Sequence, residues 1–170
     1  MIYLAEGLPV PVTEDDGLDA PYWDGARQRR LMIQRCSKCG AFQWGPEWLC
    51  HSCLSFEIDW VEIEPTGRIY SWERVWHPTH PALKEQGPYL VILVELPHAG
   101  NVRMIGNLLG DPLQTVQFGS AVTAELHTRT PEVPTLPMYF PTNASGEIVL
   151  VSHTFSRTFT IAPLPPIRQE

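Results

Sequence analysis

The sequence predicts a mainly β protein with a short N-terminal helix, a cysteine-rich metal-binding ribbon, a small closed barrel and an extended C-terminal tail. Three observations carry this prediction. Two C-x-x-C pairs lie within 18 positions, four or five short strand patterns follow at spacings of 10 to 17 residues, and prolines crowd the last part of the chain. At 170 residues the chain is long enough for one ordinary domain or two small modules that share a core.

Composition excludes several classes of protein. Apolar residues make up 44% and charged residues 18%, which indicates a globular chain. No apolar run approaches the roughly 18 to 20 residues of a membrane span, and the start of the chain lacks the pattern of a signal peptide. We therefore expect a cytoplasmic protein that does not bind membranes. The formal charge of −7 counts against a general role in binding nucleic acid.

The N-terminal region predicts an arm and a helix. Residues 1–17 contain Pro9 and Pro11 and indicate an extended arm. Residues 19–35 predict a helix, because Asp19 is a suitable N-cap and Pro21 falls in the first turn. The apolar residues of this segment follow a helical period only in part.

The four cysteines predict a metal centre. Cys36 and Cys39 form one C-x-x-C pair, and Cys50 and Cys53 form the second after ten intervening residues. Two such pairs suit a tetrahedral four-thiolate site, and Gly40 fits the first turn because that position commonly needs a positive φ. Disulfides fit a reducing compartment poorly, and a thioredoxin-type redox motif would occur once at a helix start. We predict structural Zn²⁺, with iron as the alternative metal.

The segment between the two cysteine pairs is rich in aromatic residues. Phe42, Trp44 and Trp48 lie within ten residues that are too few to bury them. We expect these three rings to pack on the next module.

From residue 58 onward the sequence predicts strands. Alternation or β-branched and aromatic content indicates strands over 58–64, 68–76, 89–96, 102–110 and 121–126, separated by turn signals. Several short strands at this spacing predict a small closed barrel. By parity, Tyr70, Trp72 and Trp76 share one face of their strand, which is either a surface for stacking bases or the core of the barrel.

The C-terminal part differs from the barrel. Seven of the 17 prolines fall within residues 131–166, between apolar pieces that are too hydrophobic for a free linker. This pattern predicts one more strand and then a tail that docks on a partner.

Taken together, these motifs resemble a known family. Tyr22-Trp23 precedes the C-x2-C-x10-C-x2-C ribbon, which is followed by the segments 67–71, 88–96 and 106–108 and by Leu136-Pro137 ahead of an aromatic pair. In this order they resemble the acyl-CoA-associated OB-fold proteins with a rubredoxin-like zinc ribbon, also called domain of unknown function 35. The resemblance covers about residues 20 to 141. With the rest of the sequence, we predict an N-terminal arm and helix at 1–34, a zinc ribbon at 35–57, an OB-fold at 58–141 and a C-terminal extension at 142–170.

What the resemblance implies is an accessory subunit. Members of this family pair with thiolase-like enzymes, including thiolases, retro-aldolases and condensing enzymes, and some are fused or paired with hydratases. The implied function is a non-catalytic zinc-binding subunit of a hetero-oligomer in lipid or aromatic degradation. It would stabilise a thiolase-like enzyme and help to form the site for a coenzyme A thioester. The extension at 142–170 departs from the short ending of the family and is a candidate for partner docking.

A catalytic set is not evident in the sequence. A thiolase-type nucleophile would be a cysteine, and all four cysteines are assigned to the metal. His77 and His80, in the loop after an aromatic strand, are the best acid–base candidates of a weaker hypothesis, a stand-alone enzyme. The simpler interpretation is a pair of solvated or loop-fixing histidines.

A basic cluster precedes and enters the ribbon, in a stretch without acids between Asp24 and Glu47. Guanidinium groups suit phosphates, so the cluster could hold the phosphates of coenzyme A. It could equally be a solvated helix face, contact a partner or contact nucleic acid. The candidate residues for coenzyme A are Arg27, Arg30, Arg35 and Lys38.

The alternative function is a nucleic-acid-binding protein, since OB barrels and zinc ribbons both serve that purpose. The net charge opposes this hypothesis. Single-strand binding that weakens steeply with salt would support it.

Overall fold

The computed structural model describes residues 17–84, 87–125, 128–130, 133–134 and 138–141. The predicted arm at the N-terminus and the predicted tail after residue 141 lie outside these residues. In chain order the elements are α1 (Ala20–Arg27), β1 (Leu31–Cys36), β2 (Phe42–Gln43), β3 (Ile58–Ile63), β4 (Thr66–Val75), a 3₁₀ turn (Pro81–Leu83), β5 (Tyr89–Leu96), a 3₁₀ turn (Pro97–Ala99), β6 (Val102–Leu108), β7 (Ala121–Glu125), β8 (Thr128–Thr130), β9 (Val133–Pro134) and β10 (Met138–Pro141).

The N-terminal helix is shorter than predicted. It begins after Asp19 with proline in its first turn, as expected, but it ends at Arg27 instead of residue 35. Arg29 adopts φ +62°, and the N–H of Arg30 donates to the carbonyl of Gly25 at 2.8 Å. This is a helix-terminating motif that usually places glycine at the left-handed position. Because arginine occupies that position, the sequence carried no stop signal.

The residues after this stop form a strand. β1 pairs antiparallel with β2 on one side and with β3 on the other, with Leu31 opposite Ile63 and Cys36 opposite Ile58. β3 is a strand as predicted, but it lies in this ribbon sheet and not in the barrel to which the sequence analysis assigned it. The pairing partners lie far downstream in the sequence, from Cys36 opposite Ile58 to Leu31 opposite Ile63, so no local pattern could reveal them.

Five strands close the barrel in the order β10-β6-β5-β4-β7. β10 pairs parallel with β6 and antiparallel with β7, and β7 returns to β4. This closed five-stranded arrangement is the predicted OB-fold barrel. β5 has the predicted bounds and alternates between buried and half-buried positions.

A bulge in β4 changes the predicted face of its aromatic residues. The register with β5 shifts between Ile69 and Ser71, so that Tyr70 is an extra residue. Tyr70 is exposed, whereas Trp72 packs against the core. The prediction that Tyr70 and Trp72 share one face is therefore wrong, because one inserted residue reverses the alternation beyond it.

The helix, the ribbon sheet and the barrel share one hydrophobic core. Tyr22 of α1 and Ile33 of β1 belong to the same buried cluster as the inner residues of β4 to β7. Phe42 and Trp44 pack against this cluster, which confirms the expectation for two of the three ribbon rings. The expectation is wrong for Trp48, because its side chain is exposed. The ribbon is thus held on the barrel by its inner rings together with the buried residues of β1.

Candidate metal centre

The first cysteine pair forms a tight turn at the end of β1. The N–H of Gly40 donates to the carbonyl of Cys36 at 2.8 Å, and the N–H of Cys36 donates to the carbonyl of Ala41 at 2.9 Å. Gly40 has φ +78°, which confirms the predicted need for glycine. The turn reverses the chain from β1 into β2 and leaves both thiols on one side.

The second pair repeats this geometry. The N–H of Leu54 donates to the carbonyl of Cys50 at 3.0 Å, and the N–H of Cys50 donates to the carbonyl of Ser55 at 2.9 Å. Leu54 therefore occupies the position that Gly40 holds in the first turn, and it has φ +57°. The two turns face each other across the metal centre.

The four thiols fit a tetrahedral metal ion. The sulfur atoms of Cys36, Cys39, Cys50 and Cys53 all lie within 4.8 Å of one another, and the Cys36–Cys53 and Cys39–Cys50 Sγ–Sγ distances are both 3.6 Å. A tetrahedral zinc–thiolate site with bonds of about 2.3 Å has sulfur–sulfur edges of about 3.8 Å. These distances are far too long for disulfides, which need about 2.05 Å. The cysteines form one metal site, and four protein ligands complete its coordination shell.

Backbone amides of the second turn favour the thiolate form of Cys50. The pKa of Cys50 is lowered to about 7, chiefly by the hydrogen bond from the backbone N–H of Cys53 and also by that from Ser52, whose nitrogen lies 3.4 Å from the Cys50 sulfur. Hydrogen bonds to a thiolate stabilise its charged form. The turn therefore lowers the cost of deprotonating this ligand.

A buried pair of glutamines, which the sequence analysis missed, fixes the second turn. The side-chain amide of Gln43 donates to Gln34 Oε1 at 2.9 Å and to the carbonyl of Leu49 at 3.3 Å. In return, the N–H of His51 donates to Gln43 Oε1 at 3.2 Å, and the N–H of Glu47 donates to Gln34 Oε1 at 3.0 Å. Both glutamines are buried on paired strands of the ribbon sheet. They tie the loop that carries Cys50 to β1 and β2.

We expect Gln43→Leu to weaken zinc binding about ten- to one hundred-fold, the range seen when groups that orient metal ligands are removed. The change leaves the N–H of His51 without its acceptor and frees the second turn to move. Competition with a chromophoric chelator measures the zinc dissociation constant. Gln117→Leu, an exposed glutamine on the barrel side, is the matched control. Equal zinc affinity in the two variants would contradict the role given to Gln43.

The structure separates the four predicted basic residues into two pairs. Arg30 directly precedes β1 and Arg35 lies near its far end, about 16 Å away along the strand. Arg27 binds Asp24 at 2.6 Å, and Arg30 lies 3.5 Å from Glu62. Arg35 and Lys38 lie at the metal end of the sheet, where the Arg35 guanidinium covers the ring of Phe42 at 5.1 Å. Whether any of them contacts coenzyme A stays a prediction.

Arg35 also borders an open cleft of about 270 Å³ beside the first cysteine turn. Its other lining residues include Ser37, Gly40 and Asp59, and the hydroxyl of Ser37 donates to the Asp59 carboxylate. The cleft therefore offers a cation and an anion side by side.

The other candidate residues do not form a catalytic set with a cysteine. His77 is exposed and His80 is half-buried in the connection between β4 and β5. All four cysteines of the chain belong to the metal site, so none is left to serve as a nucleophile.

The exposed ring in β4 is already covered on one face. The guanidinium of Arg103 lies 3.5 Å from the centroid of the Tyr70 ring and donates to the carboxylate of Glu95 at 2.9 Å. This contact leaves less of the Tyr70 ring for stacking on a base. Within the described part of the chain, no helix has the length and apolarity that a membrane crossing requires.

Two family models match this chain, one over the ribbon and one over the barrel. The family model "ChsH2, rubredoxin-like zinc ribbon domain" matches residues 23–59, and "ChsH2, C-terminal OB-fold domain" matches residues 60–127. A solved structure titled "Ltp2-ChsH2(DUF35) aldolase" is 37% identical with a TM-score of 0.64, over 77% of this chain and 98% of that one.

Two curated relatives match in sequence. A probable enoyl-CoA hydratase alpha subunit of Thermomonospora curvata is 39% identical over 124 residues, and the benzoylsuccinyl-CoA thiolase subunit BbsA of Geobacter metallireducens is 31% identical over 103 residues. The alignments cover 72% and 59% of this chain but only 37% and 58% of the relatives. The match thus spans part of each relative's length.

Proposed function

The chain belongs to the ChsH2 (DUF35) family, which joins a rubredoxin-like zinc ribbon to an OB-fold domain, and from this we propose that it is a non-catalytic subunit of a thiolase-like enzyme that acts on acyl-CoA thioesters. The enzyme is a thiolase or a retro-aldolase. The subunit stabilises this enzyme and helps to form its acyl-CoA site. The reduced thiols of the metal site suit the cytoplasm.

One observation carries the proposal. Every cysteine of the chain lies in the four-sulfur cluster, so the thiol chemistry of a thiolase must come from another chain. A closed four-thiolate zinc site has no open position for water or substrate, so the metal serves the fold and not the reaction. The names of the relatives supply the partner class, since one is a thiolase subunit and one is part of an aldolase complex.

Co-expression with a thiolase-like protein of the same organism tests the proposal. We expect the two chains to co-elute from size-exclusion chromatography. We also expect the thiolase-like protein to show higher turnover of an acyl-CoA substrate and a higher melting temperature in the complex than alone. Separate elution, with turnover of the thiolase-like protein unchanged, would contradict the proposed function.

For coenzyme A we propose that Arg35 and Lys38 make the phosphate contacts. Arg27 and Arg30 are already paired with acids, whereas the other two side chains are exposed at the metal end of the ribbon sheet. Replacing both Arg35 and Lys38 by glutamate is expected to raise the KM of the complex for acyl-CoA about ten-fold, because two attractive charges become repulsive. Arg27→Ala is the control, and an equal KM in both variants would exclude these contacts.

We also propose that the extension, residues 142–170, contacts the thiolase-like partner. Its apolar pieces between prolines support this assignment. A chain that ends at residue 141 should still bind zinc but hold the thiolase-like subunit more weakly.

A further inference from the structure

Three large apolar side chains are exposed around the second cysteine turn. Trp48 is 69% exposed, Leu54 is 67% exposed and Phe56 is 79% exposed. The hydrogen bond from the N–H of Cys50 to the carbonyl of Ser55 closes the turn, so the segments before and after it leave side by side. We call Trp48, Leu54 and Phe56 the knuckle patch.

The backbone at Leu54 has a conformation that disfavours a leucine side chain. At the equivalent position of the first turn the chain uses Gly40, which adopts a positive φ without steric cost. Leucine at φ +57° brings its Cβ close to backbone oxygen and is disfavoured there. A side chain that strains the backbone and stays exposed contributes little to the stability of the folded chain, and it is available for contact with another molecule.

The size of the knuckle patch fits an anchor at the centre of an interface. Three side chains of this size and exposure present roughly 400 Å² of apolar surface. A stable protein interface buries about 800 Å² on each partner, with apolar residues at the centre and polar ones around them. The patch can therefore supply the apolar centre of a protein interface.

The charges beside the knuckle patch favour a partner protein with basic groups over a second copy of this chain. Exposed Glu47 precedes Trp48 and exposed Glu57 follows Phe56, so carboxylates border the patch on both sides. A second copy of this chain would bring the same carboxylates, and the chain carries a net charge of −7. Like charges across an interface oppose association, whereas a partner with basic groups around an apolar recess complements the patch.

We propose that the knuckle patch is the surface by which this chain docks on its catalytic partner, in an apolar recess bordered by basic groups. The proposal rests on the proposed function and names the contact that function needs. It gives the metal a role in assembly, because the zinc-bound turn holds the three side chains in one place.

The decisive variant is Leu54→Gly. It relieves the backbone strain and removes the apolar side chain, so the free chain should keep its zinc and its melting temperature. The affinity for the thiolase-like protein that co-elutes with the unmodified chain, measured by isothermal titration calorimetry, should fall at least ten-fold. Phe56→Ser should lower the affinity similarly. The matched control is Leu113→Ala, a leucine that is 59% exposed in the connection between β6 and β7 and should bind as the unmodified chain does.

The outcomes separate this proposal from the proposed function. If the unmodified chain binds the thiolase-like protein and both patch variants bind equally well, the docking surface is wrong and the function stands. If the unmodified chain does not bind, the function fails and the docking proposal with it. If sedimentation shows self-association that Leu54→Gly abolishes, the occupant is a second copy and the proposal is overturned. If the affinity weakens as the salt concentration rises, this result would support basic groups around the recess of the partner.

Discussion

Replacing Cys36 by serine is expected to leave the chain without zinc and without a folded ribbon. The change removes one of four thiolates from a closed site whose sulfur atoms lie within 4.8 Å of one another. Structural zinc sites contribute roughly 10 to 16 kcal/mol of apparent binding free energy at neutral pH, as much as the whole stability of a typical domain. Cys36 also ends β1, so loss of the metal frees the strand that joins both sides of the ribbon sheet.

Zinc content per chain, soluble yield and co-elution with the thiolase-like subunit measure this effect together. We expect insoluble protein, or soluble protein that lacks both zinc and its partner. Ser52→Ala is the matched control, because it lies in the second turn and keeps the backbone N–H that faces the Cys50 sulfur. A Cys36→Ser variant with one zinc per chain and an intact complex would remove the basis for a structural metal site.

Replacing Gly67 by alanine is expected to destabilise the barrel by about 3 kcal/mol, at the upper end of the range for overpacked cores. A Cβ atom at this position would lie 2.5 Å from Val94 Cγ1 and 2.6 Å from the carbonyl oxygen of Glu95. The Val94 side chain could turn away from the new methyl group. The carbonyl of Glu95 cannot, because it is part of the β5 backbone and Glu95 is paired with Arg68 of β4. The clash can be relieved only by moving the two strands apart.

Thermal unfolding measures this prediction. For a chain of this size, 3 kcal/mol corresponds to a fall in melting temperature of about 10 °C. Gly45→Ala is the control, since a Cβ there would meet nothing within 4 Å, and its effect should stay within about 0.5 kcal/mol. Equal melting temperatures for the two variants would show that β4 and β5 do not approach as closely as described.

The residues of the metal site could be predicted because their chemistry is local. Two ligands three positions apart define one turn, and the turn geometry follows from the hydrogen bonds of a few consecutive residues. Gly40 could be assigned for the same reason. The strand β5 was equally clear, because β-branched and aliphatic residues fill six of its eight positions.

The ribbon strands could not be predicted as completely. Whether residues 31–36 form a strand depends on β3, a segment far downstream in the sequence that pairs along the whole of β1. The helix stop at Arg29 is similarly hidden, because a left-handed arginine looks like any other arginine in a sequence. Because residues 31–36 form a strand and not a helix, the basic cluster is divided between the two ends of that strand.

By itself, the sequence determined the four thiolate ligands, the order of ribbon and barrel, and the absence of a free cysteine for catalysis, since these depend on residue identity and short spacing. Only the tertiary structure decided which face each side chain presents. It inserted Tyr70 as a bulge, buried Gln34 and Gln43 beside the metal turns and left Trp48 exposed. The physical reason is that burial depends on which distant segment covers a residue, and that is fixed when the helix, ribbon and barrel close around one shared core.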